Sequence, residues 1–122
     1  MLVLALDVGT SSARARAFDP EGRAHPGAEG QVAYEPRTTR DGGVELDADL
    51  LLAAATDALD GCLAGCGGRA TEIAAVGVSV FWHGLLALDR AGRPLTPVIT
   101  WADTRSAAAA GALRRAHDER RI

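Results

Sequence analysis

Asp7 is followed by Val8, Gly9, Thr10, Ser11 and Ser12, so an apolar run from Leu2 to Leu6 meets an acid, a glycine and three consecutive hydroxyls. The oxygens of a nucleoside triphosphate need donors that approach closely. A turn of this composition offers backbone N–H groups unshielded by bulky side chains, with hydroxyls in reach. Asp7 is a candidate magnesium ligand acting through water, because magnesium favours oxygen ligands and keeps much of its hydration. Arg14, just past the turn, can add a positive charge to the same phosphates. The stretch is neither a Walker loop nor a dinucleotide fingerprint, since Gly-Lys-Ser/Thr and three spaced glycines are both missing and a strand follows instead of a helix. Taken alone it also reads as an ordinary Asp-x-Gly turn between strands.

A second group gathers near the other end of the chain. Trp82-His83-Gly84 and Trp101-Ala102-Asp103-Thr104-Arg105 put two tryptophans, a histidine, an acid and an arginine at the ends of apolar runs. Polyols are held by such sets, an aromatic face lying on the carbon skeleton while charged groups bond the hydroxyls. The plainer readings stay open at this point. Both tryptophans can be core aromatics, His83 can bond a backbone carbonyl, and Asp103 can serve in part as the N-cap of the last helix. Arg105 in a first helical turn opposes the helix dipole, which predicts an anion or acid partner for it.

The elements that must position these groups follow from periodicity. Residues 2–7 and 14–18 read as strands joined by the Gly-Thr-Ser-Ser turn, and Asp-Pro-Glu-Gly-Arg at 19–23 turns the chain into a third strand ending near Tyr34. This is an antiparallel meander. After a glycine and polar loop at 36–43, Asp47 is a good N-cap for an amphipathic helix with Leu51, Leu52, Ala55, Leu59, Cys62 and Leu63 on its apolar face. Glycines at 65, 67 and 68 end it. Ile73 to Trp82 is nearly unbroken apolar sequence, which predicts a central strand covered on both faces. A hairpin follows around Asp89-Arg90-Ala91-Gly92, the same Asp-x-x-Gly signal as Asp19 to Gly22. Residues 98–101 form a last strand, and an alanine-rich helix runs from Asp103 or Thr104 to about Glu119. The sum is a mixed α/β layer domain.

The composition bounds the function. With 122 residues, 48% hydrophobic, the chain has material for one ordinary core. The net charge is −3 and all 13 basic residues are arginines, which argues against a general nucleic-acid binder. The opening apolar run has no basic residue before it and meets Asp7, too soon for a signal peptide or a membrane span, so a cytoplasmic location away from the membrane is expected. Cys62 and Cys66 lack further ligands at zinc spacing and read as small residues filling space near a helix end.

Together these motifs resemble the N-terminal part of the FGGY family of carbohydrate kinases. Asp7 to Ser12 with Arg14 is similar to that family's first phosphate motif, Glu45-Leu46-Asp47 to the Glu-x-Asp before its first helix, Trp82-His83-Gly84 to a substrate segment, and Trp101-x-Asp103-x-Arg105 to its Trp-x-Asp-x-Arg motif. The resemblance spans essentially the whole chain. It implies a ribonuclease-H-like, actin-like ATPase fold, here incomplete, in which residues 1–122 are the first portion of the sugar-binding domain. It implies ATP and Mg²⁺ as cofactors, Asp7 as the magnesium residue, and Gly9, Thr10, Ser11, Ser12 and Arg14 at the phosphates. Trp82, His83, Trp101, Asp103 and Arg105 would meet a sugar or sugar acid. Within the family, the segments around Pro94 and Ile99 resemble gluconate kinases first and xylulose kinases second, while the Arg-Glu pair of glycerol kinases is absent from the hairpin in the 80s. The family's catalytic base, an aspartate, lies beyond Ile122, so the 122 residues alone are expected not to turn over or to hold ligand measurably. Apolar surface left by the missing second domain is expected to favour self-association. Two other classes compete with the kinase: a non-catalytic actin-like nucleotide-binding or regulatory module, and a merely structural α/β domain.

Overall fold

A computed structural model describes residues 1–117. Strands β1 (Leu2–Val8), β2 (Ser12–Phe18) and β3 (Ala24–Ala33) form the meander. Alternation fixes their two faces: Leu2, Leu4 and Val8 of β1 and Ala13, Ala15 and Ala17 of β2 point inward, whereas Val3, Ala5, Asp7, Arg14 and Arg16 point out. After β4 (Arg37–Thr38) and β5 (Val44–Leu46) comes helix α1 (Ala48–Cys66), followed by a 3₁₀ turn and β6 (Ile73–Val80). The chain closes with β7 (Val98–Ile99) and α2 (Ala107–Ala116). The main sheet has the order β3-β2-β1-β6, with β1 and β6 parallel and the other pairs antiparallel. A small second sheet has the order β4-β5-β7.

The expected N-cap of α1 is present: the Asp47 carboxylate accepts from the N–H groups of Asp49 and Leu50. So is its glycine end, with Gly67 at φ +54. The two Asp-x-x-Gly turns are near copies. Asp19 accepts from the amides of Glu21 and Arg23, Asp89 accepts from those of Ala91 and Arg93, and Gly22 and Gly92 each stand at φ +78.

The packing face of α1 differs from expectation. Ala54, Ala58, Cys62 and Cys66 are its buried residues, while Leu52 is 68% exposed and Leu63 38%. The cause is close approach. A Cβ at Gly30 would overlap the Ala58 carbonyl, and one at Gly65 would overlap the Gly27 carbonyl, so the helix backbone lies directly on β3 and its centre line is alanine and cysteine, with the expected Ala55 and Leu59 packed half-buried at the side. Burial pushes the Cys62 thiol pKa up, and the Cys62 thiol donates to the Ala28 carbonyl at 3.3 Å. By length and composition Ala48–Glu72 could also cross a membrane, but here one helix face is pressed onto the sheet.

Four further expectations are corrected. β6 is not central and covered: α1 lies over β2 and β3, so Val76, Val78 and Val80, on the same face as Leu4, Leu6 and Val8, are more than half exposed at an edge. The polar loop at 36–43 is largely the β4–β5 hairpin, closed by the Thr39 N–H on the Gly43 carbonyl at 2.9 Å and Gly42 at φ +92. The strand expected over 98–101 stops at Ile99, leaving Trp101 in a turn. Asp103 does not cap α2, because its carboxylate accepts the Arg105 N–H before the helix begins, and Ser106 at the N-cap makes no side-chain bond. The expected helix end near Glu119 lies outside the described residues.

Candidate functional site

The turn after β1 is built from its own backbone and one tyrosine. The Gly9 N–H donates to the Ser12 carbonyl at 2.9 Å, and a Cβ on Gly9 would stand 3.3 Å from that oxygen, tight for any other residue. Tyr34 staples the turn twice: its hydroxyl donates to the Gly9 carbonyl at 2.6 Å and its N–H to the Ser11 carbonyl at 3.0 Å. Burial, then the nearby Asp7 charge, raises the Tyr34 pKa. With Gly9 engaged and Ser12 buried in β2, the exposed donors of the turn are the amides and hydroxyls of Thr10 and Ser11. Asp7 pairs with Arg14 across β1 and β2, both exposed on the face away from α1. Among the described residues no three His, Cys, Asp or Glu side chains converge as a metal centre. A lone carboxylate beside free donors fits an ion held largely by phosphate oxygens and water, so the donor set suits a magnesium nucleotide.

Trp82 and His83 lie at the same end of the sheet. β6 runs parallel to β1, and the Phe81 N–H donates to the Val8 carbonyl at 2.9 Å, so the chain leaves β6 beside the Gly9 turn. The carboxyl ends of strands in open α/β sheets are where ligands settle. His83 has φ +58, the only positive φ of a non-glycine among the described residues, and such strain persists where surrounding structure enforces it. Its ring meets Trp82 edge-on, centroids 6.0 Å apart, and Trp82 is 76% exposed.

The third cluster is stitched to the β4–β5 hairpin. Thr100, buried, donates to the Val44 carbonyl through both its N–H at 3.0 Å and its hydroxyl at 2.9 Å. The Val44 N–H donates to the Asp103 carboxylate at 3.2 Å, and the Thr104 N–H to the Gly42 carbonyl at 3.0 Å. Arg105 binds Asp103 through Nε at 2.9 Å and Nη2 at 2.6 Å, and reaches Glu45 at 2.7 Å. The acid partner expected for Arg105 is therefore present twice over. Leu85 and Ile99 exchange two backbone bonds of 2.9 Å, tying the segment after His83 to the strand before Trp101. Trp82, His83 and the Gly9 turn are thus brought to one end, and Trp101 is linked to them through backbone; no ring contact joins Trp101 to Trp82 among the described residues. A cleft of about 520 Å³ is lined by Tyr34, Arg37, Glu45 and Leu95 but by none of the expected site residues.

Tyr34, Glu45 and Arg37 were not expected as site residues. Glu45 stood in the sequence only as an approach to the helix, and Tyr34 as a strand end.

Arg105, then burial working against it, sets the Asp103 carboxyl down from its usual 3.8 to about 2. A depressed carboxyl stabilises the fold above its unfolded pKa, and the contribution is lost as pH falls through the folded value. Stability of the wild type is expected to fall between about pH 4 and 2, and Asp103→Asn to flatten that part of the curve, as read by urea midpoints across the range.

Residues 2–122 match the model of the FGGY family of carbohydrate kinases, N-terminal domain. The chain belongs to this family. The glycerol kinase of Deinococcus radiodurans is 33% identical over 118 residues, covering 96% of this chain and 23% of its own length. Among solved structures, the xylulose kinase from Brucella ovis superposes with a TM-score of 0.87 at 28% identity, over 95% of this chain and 24% of that one. The gluconate kinase from Lactobacillus acidophilus gives 0.81 at 25% identity, over 95% of this chain and 23% of its own. This FGGY chain thus spans about a quarter of the length of such relatives. The actin-like ATPase fold is the one expected, and the relatives include glycerol, xylulose, gluconate and apulose kinases without singling out gluconate.

Proposed function

We propose that residues 1–122 are the first portion of the sugar-binding domain of an ATP-dependent carbohydrate kinase, which transfers the γ-phosphoryl group to a hydroxyl of a sugar or sugar acid. The observation that carries this reading is the meeting of the Gly9 turn and the Trp82–His83 segment at one end of the β1–β6 pair. A magnesium nucleotide supplies the phosphoryl group and the charge neutralisation that such a transfer needs. Thr10 and Ser11 offer donors to phosphate oxygens, Asp7 holds the ion's water, and Arg14 adds positive charge. Trp82 and Trp101 present exposed rings to a carbon skeleton, and His83 is held in place beside Trp82. The catalytic base and the adenosine contacts belong to sequence beyond these residues, so the 122 residues alone are proposed not to turn over, and their exposed β6 edge to favour self-association.

Gluconate is the first-choice acceptor and xylulose the second, a ranking that rests on the likeness around Pro94 and Ile99. The test is a coupled ADP-release assay of the full-length protein with ATP and gluconate, xylulose or glycerol. Gluconate-dependent turnover exceeding the other two is expected. Turnover with xylulose or glycerol alone removes gluconate, and nucleotide binding with no turnover on any of the three overturns the kinase in favour of a regulatory module.

A further inference from the structure

Trp101 is 62% exposed in a turn just past β7, so packing does not hold its ring, and what fixes the turn stands behind it. The fixing group starts at Glu45, whose side chain is 8% exposed on β5 and bonds Arg37 at 2.5 Å on one side and Arg105 at 2.7 Å on the other. Arg105 in turn forks onto Asp103, whose side chain is 5% exposed, and Asp103 accepts from the Val44 amide of the same β5 strand. The circuit is closed: two carboxylates and two guanidiniums, with Asp41 as the next charge facing Arg105. A Cβ on Gly43 would strike the Arg105 guanidinium, so the hairpin is shaped to admit it.

We propose that Glu45 and Asp103 are positioning residues, which hold Arg105 and through it the turn that aims Trp101 at the acceptor. This rests on the acceptor site described above, and it moves Asp103 from direct contact with sugar to a role behind the ring. Both Asp103 oxygens are already engaged within the protein, so bonding a sugar hydroxyl would mean breaking the circuit. A buried carboxylate shared by two arginines fixes geometry through charge-assisted, bidentate bonds, and its loss frees the turn without touching the phosphate side.

The test uses the full-length protein with Glu45→Gln, which keeps the side-chain size and removes the charge. The KM of the acceptor that the wild type phosphorylates best is expected to rise about tenfold, with kcat and the KM for ATP within twofold. Amide exchange at Thr100 to Arg105 is expected to quicken while Gly9 to Ser12 stays unchanged. Should that variant fail to fold, Arg105→Lys, which keeps the charge but loses the fork, is expected to give the same split. An unchanged acceptor KM, or a kcat and ATP KM that shift together with it, overturns the proposal. If the wild type phosphorylates no acceptor, the kinase reading fails separately, and the exchange measurement still decides: unchanged exchange at Thr100 to Arg105 overturns the positioning role.

Discussion

Asp7→Ala in the full-length protein is expected to lower kcat by roughly 10²- to 10³-fold at saturating acceptor, the loss typical of removing one electrostatic stabiliser of a charged transition state. The KM for the acceptor should hardly move, because Asp7, paired with Arg14 across β1 and β2, is the residue proposed to serve the phosphates. Magnesium titration should show half-saturation only at higher concentration, as expected if the ion loses the one carboxylate proposed to hold its water at the turn. Steady-state kinetics with both substrates varied checks this. A kcat within threefold of wild type contradicts the role given to Asp7.

The second large effect concerns the scaffold. Gly65→Ala is expected to destabilise by about 3 kcal/mol, the upper end for overpacking, because the added Cβ overlaps the Gly27 carbonyl and α1 must lift off β3. Even the full propensity gain of alanine over glycine in a helix interior, about 1 kcal/mol, is too little to offset that overlap in the last turn. Gly61→Ala is the control. Its Cβ would sit 3.3 Å from the Gly30 Cα, a contact relieved by a small shift, so the propensity gain and the crowding should nearly cancel. Thermal midpoints should therefore fall by several degrees for Gly65→Ala and stay near wild type for Gly61→Ala. Equal midpoints for the two variants would show that the helix does not lie as close to the strand as described.

The contrast between these glycines explains what the sequence could and could not convey. Local signals were legible because each has a local cause: the small-residue turn at Gly9 separated the two strands of the meander, Asp47 marked the start of α1, and each Asp-x-x-Gly built its turn from bonds to its own neighbours. The buried face of α1 was not legible, because leucines outweigh alanines in any hydrophobic pattern while the helix was drawn in by Gly30 and Gly65, far apart in sequence. The unbroken apolar run of β6 says that apolar neighbours are suitable, not where they are, so a central strand and an edge strand look alike. The same limit applied at the site. Asp7, Gly9, Trp82 and Trp101 are candidates by type and spacing alone, whereas Tyr34 and Glu45 enter through bonds to residues as far as 25 and 60 positions away, at Gly9 and Arg105. The Glu-x-Asp likeness named Glu45 without a partner, and the expectation of an acid for Arg105 named a partner without an address.

The measurement that bears most directly on the account is a crystal structure of the full-length protein with magnesium, ADP and the acceptor it turns over best. The account predicts phosphate oxygens within hydrogen-bond reach of Thr10 and Ser11, a hydrated ion next to Asp7, and the acceptor's carbon skeleton against the rings of Trp82 and Trp101. A nucleotide and acceptor bound elsewhere, with the Gly9 turn empty and both rings bare, would contradict it.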